Sequence, residues 1–182
     1  KPSGIYELTK TKSDEIVQKS GLPYVILRPS NVFGQTMRNQ SLIQLVEMLR
    51  KRLFFYLGEA GALVNYVHVQ DVVEALLECG NNDRALGNTY ILSQATEIEK
   101  MVSSFASGLG IRRKPLRFPE SLIRKMSSVF SKVPGFPLTN SRIDALTGHC
   151  RYDSEKIMVE LGFEFLSPIE SQFFHFASDL DQ

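Results

Sequence analysis

With 182 residues, 43% of them hydrophobic, the chain has enough apolar side chains for an ordinary globular core, which excludes a disordered segment. Its 21 lysines and arginines nearly cancel its 20 aspartates and glutamates, so no summed field would by itself hold nucleic acid or a membrane surface, and a small, locally recognised ligand fits better. No apolar run approaches the roughly 18 to 20 residues of a membrane span, and Cys79 and Cys150, without CxxC spacing or a secretory signal ahead of them, favour a reducing, cytoplasmic compartment.

Apolar residues at helical spacing over 5–20 predict a first helix, with Ile5, Leu8, Ile16 and Val17 facing inward and Gly21 ending the run. The chain starts at Lys1 and enters this pattern almost at once, as a chain cut from a longer one would. Then the period changes. Tyr24-Val25-Ile26-Leu27 is a continuous apolar run, the pattern of a strand buried on both faces of a parallel sheet, and Pro29 stops it. Residues 30–38, rich in small polar groups (Ser30, Asn31, Gly34, Gln35), read as a loop. Helix, turn, buried strand and polar loop is the grammar of doubly wound α/β folds, whose ligand crevice lies beyond the carboxyl ends of the strands. The 30–38 loop is therefore expected on the site side.

Leu42, Leu45, Val46 and Leu49 predict a helix over 41–51, followed by a strand-like 53–57 and a turn bracketed by Gly58 and Gly61. Residues 64–69 read as extended. Asp71 then opens a helix that Val72, Val73, Ala75, Leu76 and Leu77 make largely buried and Gly80 ends. A short strand at 89–92, a helix at 97–108, an extended piece at 115–118 and an amphipathic helix over 120–133 follow. A helix over 153–161 ends at Gly162. The last helix carries a full start signal, with Ser167 as cap, Pro168 in the first helical position and Glu170 completing a capping box. Its Phe173, Phe174 and Phe176 are expected in the core. Strands and helices alternate to about residue 93, after which helices dominate.

Chemistry is most concentrated at Tyr6-Glu7-Leu8-Thr9-Lys10. A tyrosine and a lysine at i and i+4 share one helical face, within reach of a common ligand. An ordinary phenol is a poor acid-base group at neutral pH, but an adjacent ammonium favours the phenolate. The same ammonium can hydrogen-bond sugar hydroxyls of a cofactor. His68, His149, His175 and Cys150 have no metal-ligand spacing, and neither HExxH nor GxSxG occurs, so no metal site is expected. Arg50-Lys51-Arg52 and Arg112-Arg113-Lys114 read as solvated helix ends and loops that could also touch phosphates.

The helix bearing Tyr6 and Lys10 is followed by Leu27-Arg28-Pro29-Ser30-Asn31-Val32-Phe33-Gly34, by Asn65-Tyr66-Val67-His68-Val69-Gln70-Asp71, by Gly87-Asn88-Thr89-Tyr90-Ile91-Leu92-Ser93 and by Tyr152-Asp153-Ser154-Glu155-Lys156. This series closely resembles the carboxy-terminal half of the extended short-chain dehydrogenase/reductases, the NAD-dependent epimerase/dehydratase family. The resemblance implies an α/β fold, the second half of a doubly wound Rossmann-type parallel sheet with a small, mainly helical substrate-binding lobe. On that reading residues 1–93 form the carboxy-terminal part of the Rossmann-type domain, interrupted by lobe segments at about 35–68, and 94–182 form mainly the lobe. Tyr6 would be the catalytic acid-base and Lys10 would hold the nicotinamide ribose of NAD or NADP. Pro29, Ser30, Asn31 and Val32 would approach the nicotinamide end, and Asn31 would also contact a nucleotide-sugar diphosphate. The Tyr6 helix would be a homodimer contact. Asp71 would be mainly structural, and His68 a packed histidine.

Two family parts have no counterpart in this sequence: the GxxGxxG turn that holds the pyrophosphate, and the Ser or Thr that polarises the substrate oxygen upstream of the tyrosine. Gly108-Leu109-Gly110 follows a helical pattern and reads as a helix end. The isolated chain is therefore expected to bind dinucleotide poorly and to turn over little. Where many members acting on UDP-sugars carry an arginine and an acidic residue, this chain has Val64 and Asn65; Asn65 would be substrate-binding with Asn31 and Arg151, Arg151 as the alternative phosphate partner. A nucleotide-sugar epimerase or dehydratase is the first expectation. A reductase of a non-nucleotide carbonyl, and a non-catalytic binding or assembly module, stay open beside it.

Overall fold

The computed structural model describes residues 4–36, 40–130 and 140–180. In chain order it runs α1 (Ile5–Gln18), β1 (Ile26–Pro29), β2 (Asn31–Phe33), α2 (Gln40–Arg50), β3 (Phe55–Leu57), β4 (Leu63–His68), α3 (Val69–Asn81), a 3₁₀ turn (Asp83–Ala85), β5 (Thr89–Leu92), β6 (Gln94–Glu97), α4 (Ile98–Gly108), β7 (Leu116–Phe118), α5 (Glu120–Phe130), α6 (Asn140–Thr147), α7 (Glu155–Leu161) and α8 (Ile169–Asp179). Three small sheets result. β1 pairs with β5 in parallel, Ile26 opposite Thr89 and Pro29 opposite Leu92. β4 sits between β2, parallel, and β6, antiparallel. β3 and β7 form a third parallel pair. The fold is mixed α/β with parallel pairing, as the alternating pattern predicts.

Hydrophobic burial divides along these sheets. Val67, Tyr90 and Leu92 pack with Ala75 and Cys79 of α3 and with Ile157 and Leu161 of α7, so the β1–β5 pair has its own core. A second core joins Phe33 at the end of β2 to α2, α4 and α8, where the Phe33 ring stacks on Phe173 at 4.8 Å between centroids. Leu57, Ile123 and Ile143 close a third cluster beneath the β3–β7 pair. Among the described residues β1 is hydrogen-bonded along one edge only.

Several elements differ from their sequence patterns. The apolar stripe of α1 meets no core: Ile5, Leu8, Ile16 and Val17 are all exposed, and no residue of the helix is buried. Periodicity marked the face; nothing among the described residues covers it. Asn31–Phe33 is a strand where a polar loop is expected, because pairing with Tyr66–His68 supplies hydrogen bonds that its composition does not advertise. In α3 only Asp71, Ala75 and Cys79 are buried, and Val73, Leu76 and Leu77 face solvent. Residues 131–133 of the expected fifth helix lie outside the described residues.

The capping box expected at Ser167 and Glu170 is replaced by a clasp from β6. Pro168 is the cap residue; Ile169 N donates to Gln94 Oε1 at 3.0 Å, Gln94 Nε2 donates to Ser167 O, and Thr96 Oγ1 donates to Glu170 Oε1 at 2.5 Å. A side chain from a neighbouring strand thus satisfies the helix start in place of the local serine. Phe173 and Phe176 are buried, while Phe174 is partly exposed beside His175.

Candidate functional site

Tyr6, Lys10 and Asp14 succeed one another at four-residue steps along α1, so they form one stripe of the helix. Lys10 Nζ lies 5.7 Å from the centroid of the Tyr6 ring, which places ammonium and phenol together as the i,i+4 spacing requires. Tyr6 is 74% exposed, open to a ligand. One turn further on, Asp14 Oδ2 accepts from Arg28 Nη2 at 2.5 Å and Nε at 2.9 Å. Arg28 belongs to β1, two residues before Ser30. The stripe is therefore tied at its far end to the strand that leads into the second candidate segment.

That segment, Pro29 to Val32, spans the junction of β1 and β2. Ser30 N donates to Leu92 O at 2.9 Å and prolongs the β1–β5 ladder, while its Oγ is shielded from solvent with no hydrogen-bond partner among the described residues. A buried hydroxyl without a partner is costly, and one at the carboxyl end of a parallel strand fits the polar edge of a cofactor. Gly34, just past β2, is pressed against α3: a Cβ there would stand 2.5 Å from Val69 Cγ1, so only glycine lets the segment turn so closely.

Asn31, Asn65 and Arg151, far apart in sequence, are brought together. Asn31 Nδ2 donates to Asn65 O at 3.2 Å; Asn65 Nδ2 donates to Cys150 O at 2.8 Å, and Tyr152 N donates to Asn65 Oδ1 at 2.9 Å. Both ends of the Asn65 amide are thus used on the backbone flanking Arg151. Asn65 fixes that loop, and Arg151 is left exposed with no ion pair among the described residues.

His68 Nδ1 accepts from Gln70 N at 3.3 Å as the cap of α3, and its ring meets Phe33 edge-on at 5.3 Å. Burial lowers its pKa, against the opposing pull of Asp71. Asp71 itself is wholly buried and accepts from Leu166 N and Gln172 Nε2, each at 2.8 Å, tying α3 to the start of α8. Gly108 is no phosphate loop: it lies in the last turn of α4, where a Cβ would stand 2.5 Å from Phe174 O.

The sequence reading missed a cavity of 580 Å³ lined by Gly58, Glu59, Arg117, Pro119, Glu120, Thr147 and His149. Arg117 is fully engaged there, donating to Gly58 O and Glu59 O, pairing with Glu99 and lying 4.7 Å from the Tyr56 ring centroid. His149 Nδ1 is 3.0 Å from Gly61 O. Gly58 and Gly61 were the available signal, since a turn held at positive φ between two glycines frames the cavity mouth.

The pattern of the NAD dependent epimerase/dehydratase family matches residues 1–92, the part that contains the Tyr6–Lys10 stripe and the β1–β2 junction. The chain belongs to this family. In fold it resembles the Bordetella bronchiseptica enzyme WbmG, solved in complex with NAD and UDP, with 15% identity and a TM-score of 0.71 over 100% of this chain and 52% of that one. It also resembles a dTDP-glucose 4,6-dehydratase from Bacillus anthracis in complex with NAD, with 17% identity and a TM-score of 0.68 over 100% and 53%. The third is RMD from Pseudomonas aeruginosa complexed with NADPH, with 14% identity and a TM-score of 0.65 over 98% and 56%. These likenesses establish a shared fold, and the chain spans about half the length of each structure. A comparison with curated proteins gives no significant sequence match. Among the described residues, no helix is long and apolar enough to cross a membrane.

Proposed function

We propose that this chain supplies the catalytic and substrate-facing part of an NAD(P)-dependent epimerase or dehydratase acting on a nucleotide-sugar. The observation that carries the reading is the Lys10 ammonium set beside the Tyr6 phenol on a helix tied by Asp14 to the strand entering the Ser30 junction. A bound nicotinamide cofactor supplies hydride chemistry. Tyr6 exchanges a proton with a substrate hydroxyl or carbonyl, and Lys10 would donate to a ribose hydroxyl. Pro29, Ser30, Asn31 and Val32 form the wall toward the nicotinamide, with the unpartnered Ser30 Oγ as its free polar group. Asn31 and Arg151 meet the substrate diphosphate, and Asn65 acts through Arg151 by fixing its loop. The Rossmann-type part comprises residues 1–93, less a lobe segment at about 35–68, and 94–182 build mainly the lobe; the cofactor is NAD or NADP, as in the complexes of the similar folds. The α1 face serves as a homodimer contact.

Without a GxxGxxG turn the 182 residues alone bind dinucleotide weakly and turn over little. Joined to a glycine-rich dinucleotide-binding half, the Tyr6→Phe variant should retain nicotinamide fluorescence changes on binding yet lose turnover by about 10²-fold or more. Full activity of Tyr6→Phe would remove the acid-base role, and strong cofactor binding by the isolated chain would remove the division of labour.

A further inference from the structure

The two basic triplets, Arg50-Lys51-Arg52 and Arg112-Arg113-Lys114, are 60 residues apart in sequence but meet in the fold. Each precedes one strand of the β3–β7 pair, and because that pair is parallel, with Phe55 opposite Leu116, both triplets fall at its amino-terminal end. Between them opens a groove of 260 Å³ whose apolar wall includes Leu49, Leu53, Phe55, Ile111, Leu116 and Phe118, and to which Arg52, Arg113 and Lys114 contribute. An adjoining groove shares Arg52 and Arg113 and adds Arg112. Leu53 and Leu116 stand 61% and 62% exposed among these cations. No Asp or Glu occurs in residues 48–58 or 108–119, although Glu47, just outside, pairs with Arg50 at 2.8 Å. Lys51, Arg52, Arg112, Arg113 and Lys114 have no side-chain ion pair among the described residues. In a chain of net charge +1 this is a concentrated positive field with aliphatic side chains at its centre.

We propose that this face docks on an anionic lipid surface, with Leu53 and Leu116 entering the acyl boundary and the surrounding cations meeting the head groups. Interfacial binding strength is set by buried apolar area together with attraction to anionic lipid, and this patch offers both. A single-stranded nucleic acid would need aromatic faces to stack on, whereas Phe54, Phe55 and Phe118 are half-buried and the uncovered groups are aliphatic. Free phosphate would use the cations and leave the leucines without a role.

The test is co-sedimentation of the 182-residue chain with phosphatidylcholine vesicles, with and without about 30% phosphatidylserine, at low and high salt. Binding is expected only to the serine-containing vesicles and should weaken as salt rises. Arg112→Glu combined with Arg113→Glu should weaken it about tenfold or more, and Leu53→Ser combined with Leu116→Ser should weaken it at unchanged charge. Lys100→Glu, a charge reversal on α4 away from the groove, should leave it in place. Equal binding to neutral vesicles, an equal loss with Lys100→Glu, or indifference to the leucine pair would overturn the proposal. Tighter binding to an oligonucleotide than to the vesicles would overturn it too.

Discussion

Lys10 lies beside the Tyr6 ring because residues four apart are neighbours on one helical face, and that proximity was legible from spacing alone. The buried Ser30 hydroxyl was not legible, because it depends on the β5 backbone beside it. Asn65 shows the same limit. Its hydrogen bonds run to Cys150 and Tyr152, contacts 85 and 87 residues away that no local pattern announces. The His68 Nδ1 accepts from Gln70 N, so protonation would replace an acceptor by a donor at the helix start. Burial holds its pKa below the ordinary 6.5. Between the two values the unfolded chain binds a proton that the folded chain refuses, so stability is intact above about pH 6.5 and falls as pH drops through the folded value. His68→Asn keeps an acceptor without titrating. Denaturant titrations at about pH 7 and about pH 5 should show a larger loss for the parent than for this variant, and equal losses would remove the His68 cap as the cause.

Among the elements, those with strong periodicity were placed well: α2, α3 and β5 lie within two residues of their predicted bounds. β6 and α6 were not legible. Gln94–Glu97 is polar and short, and becomes a strand only by pairing with β4 while Gln94 and Thr96 hold the start of α8. The contact of α4 with α8 is close enough to exclude a methyl group at Gly108, where a Cβ would lie 2.5 Å from Phe174 O and 3.2 Å from Ala177 Cβ. Gly108→Ala should therefore destabilise: overpacking costs about 1–3 kcal/mol, and the better helix propensity of alanine offsets at most about 1 kcal/mol. A denaturation midpoint unchanged or raised by the substitution would contradict this packing.

At the scale of the molecule, α1 is the outlier. Among the described residues it buries no side chain, and the Asp14–Arg28 pair that ties it to β1 is an exposed contact worth at most about 1 kcal/mol. In the monomeric chain, hydrogen exchange should find its amides less protected than those of α4, whose Ile98, Met101, Val102 and Phe105 are buried, and Arg28→Ala should lower α1 protection further. Protection of α1 equal to that of α4 would show that the helix has more support than this pair provides. The α/β class was readable from the alternation of patterns, whereas the division into three small sheets was not, because it depends on which strands find partners. The most direct measurement is a crystal structure of these residues joined to a glycine-rich dinucleotide-binding half with NAD bound. Lys10 Nζ should lie at about 3 Å from a hydroxyl of the nicotinamide ribose, with the Tyr6 hydroxyl turned toward the nicotinamide. A nicotinamide bound away from the Tyr6–Lys10 stripe and the Ser30 junction would contradict this placement.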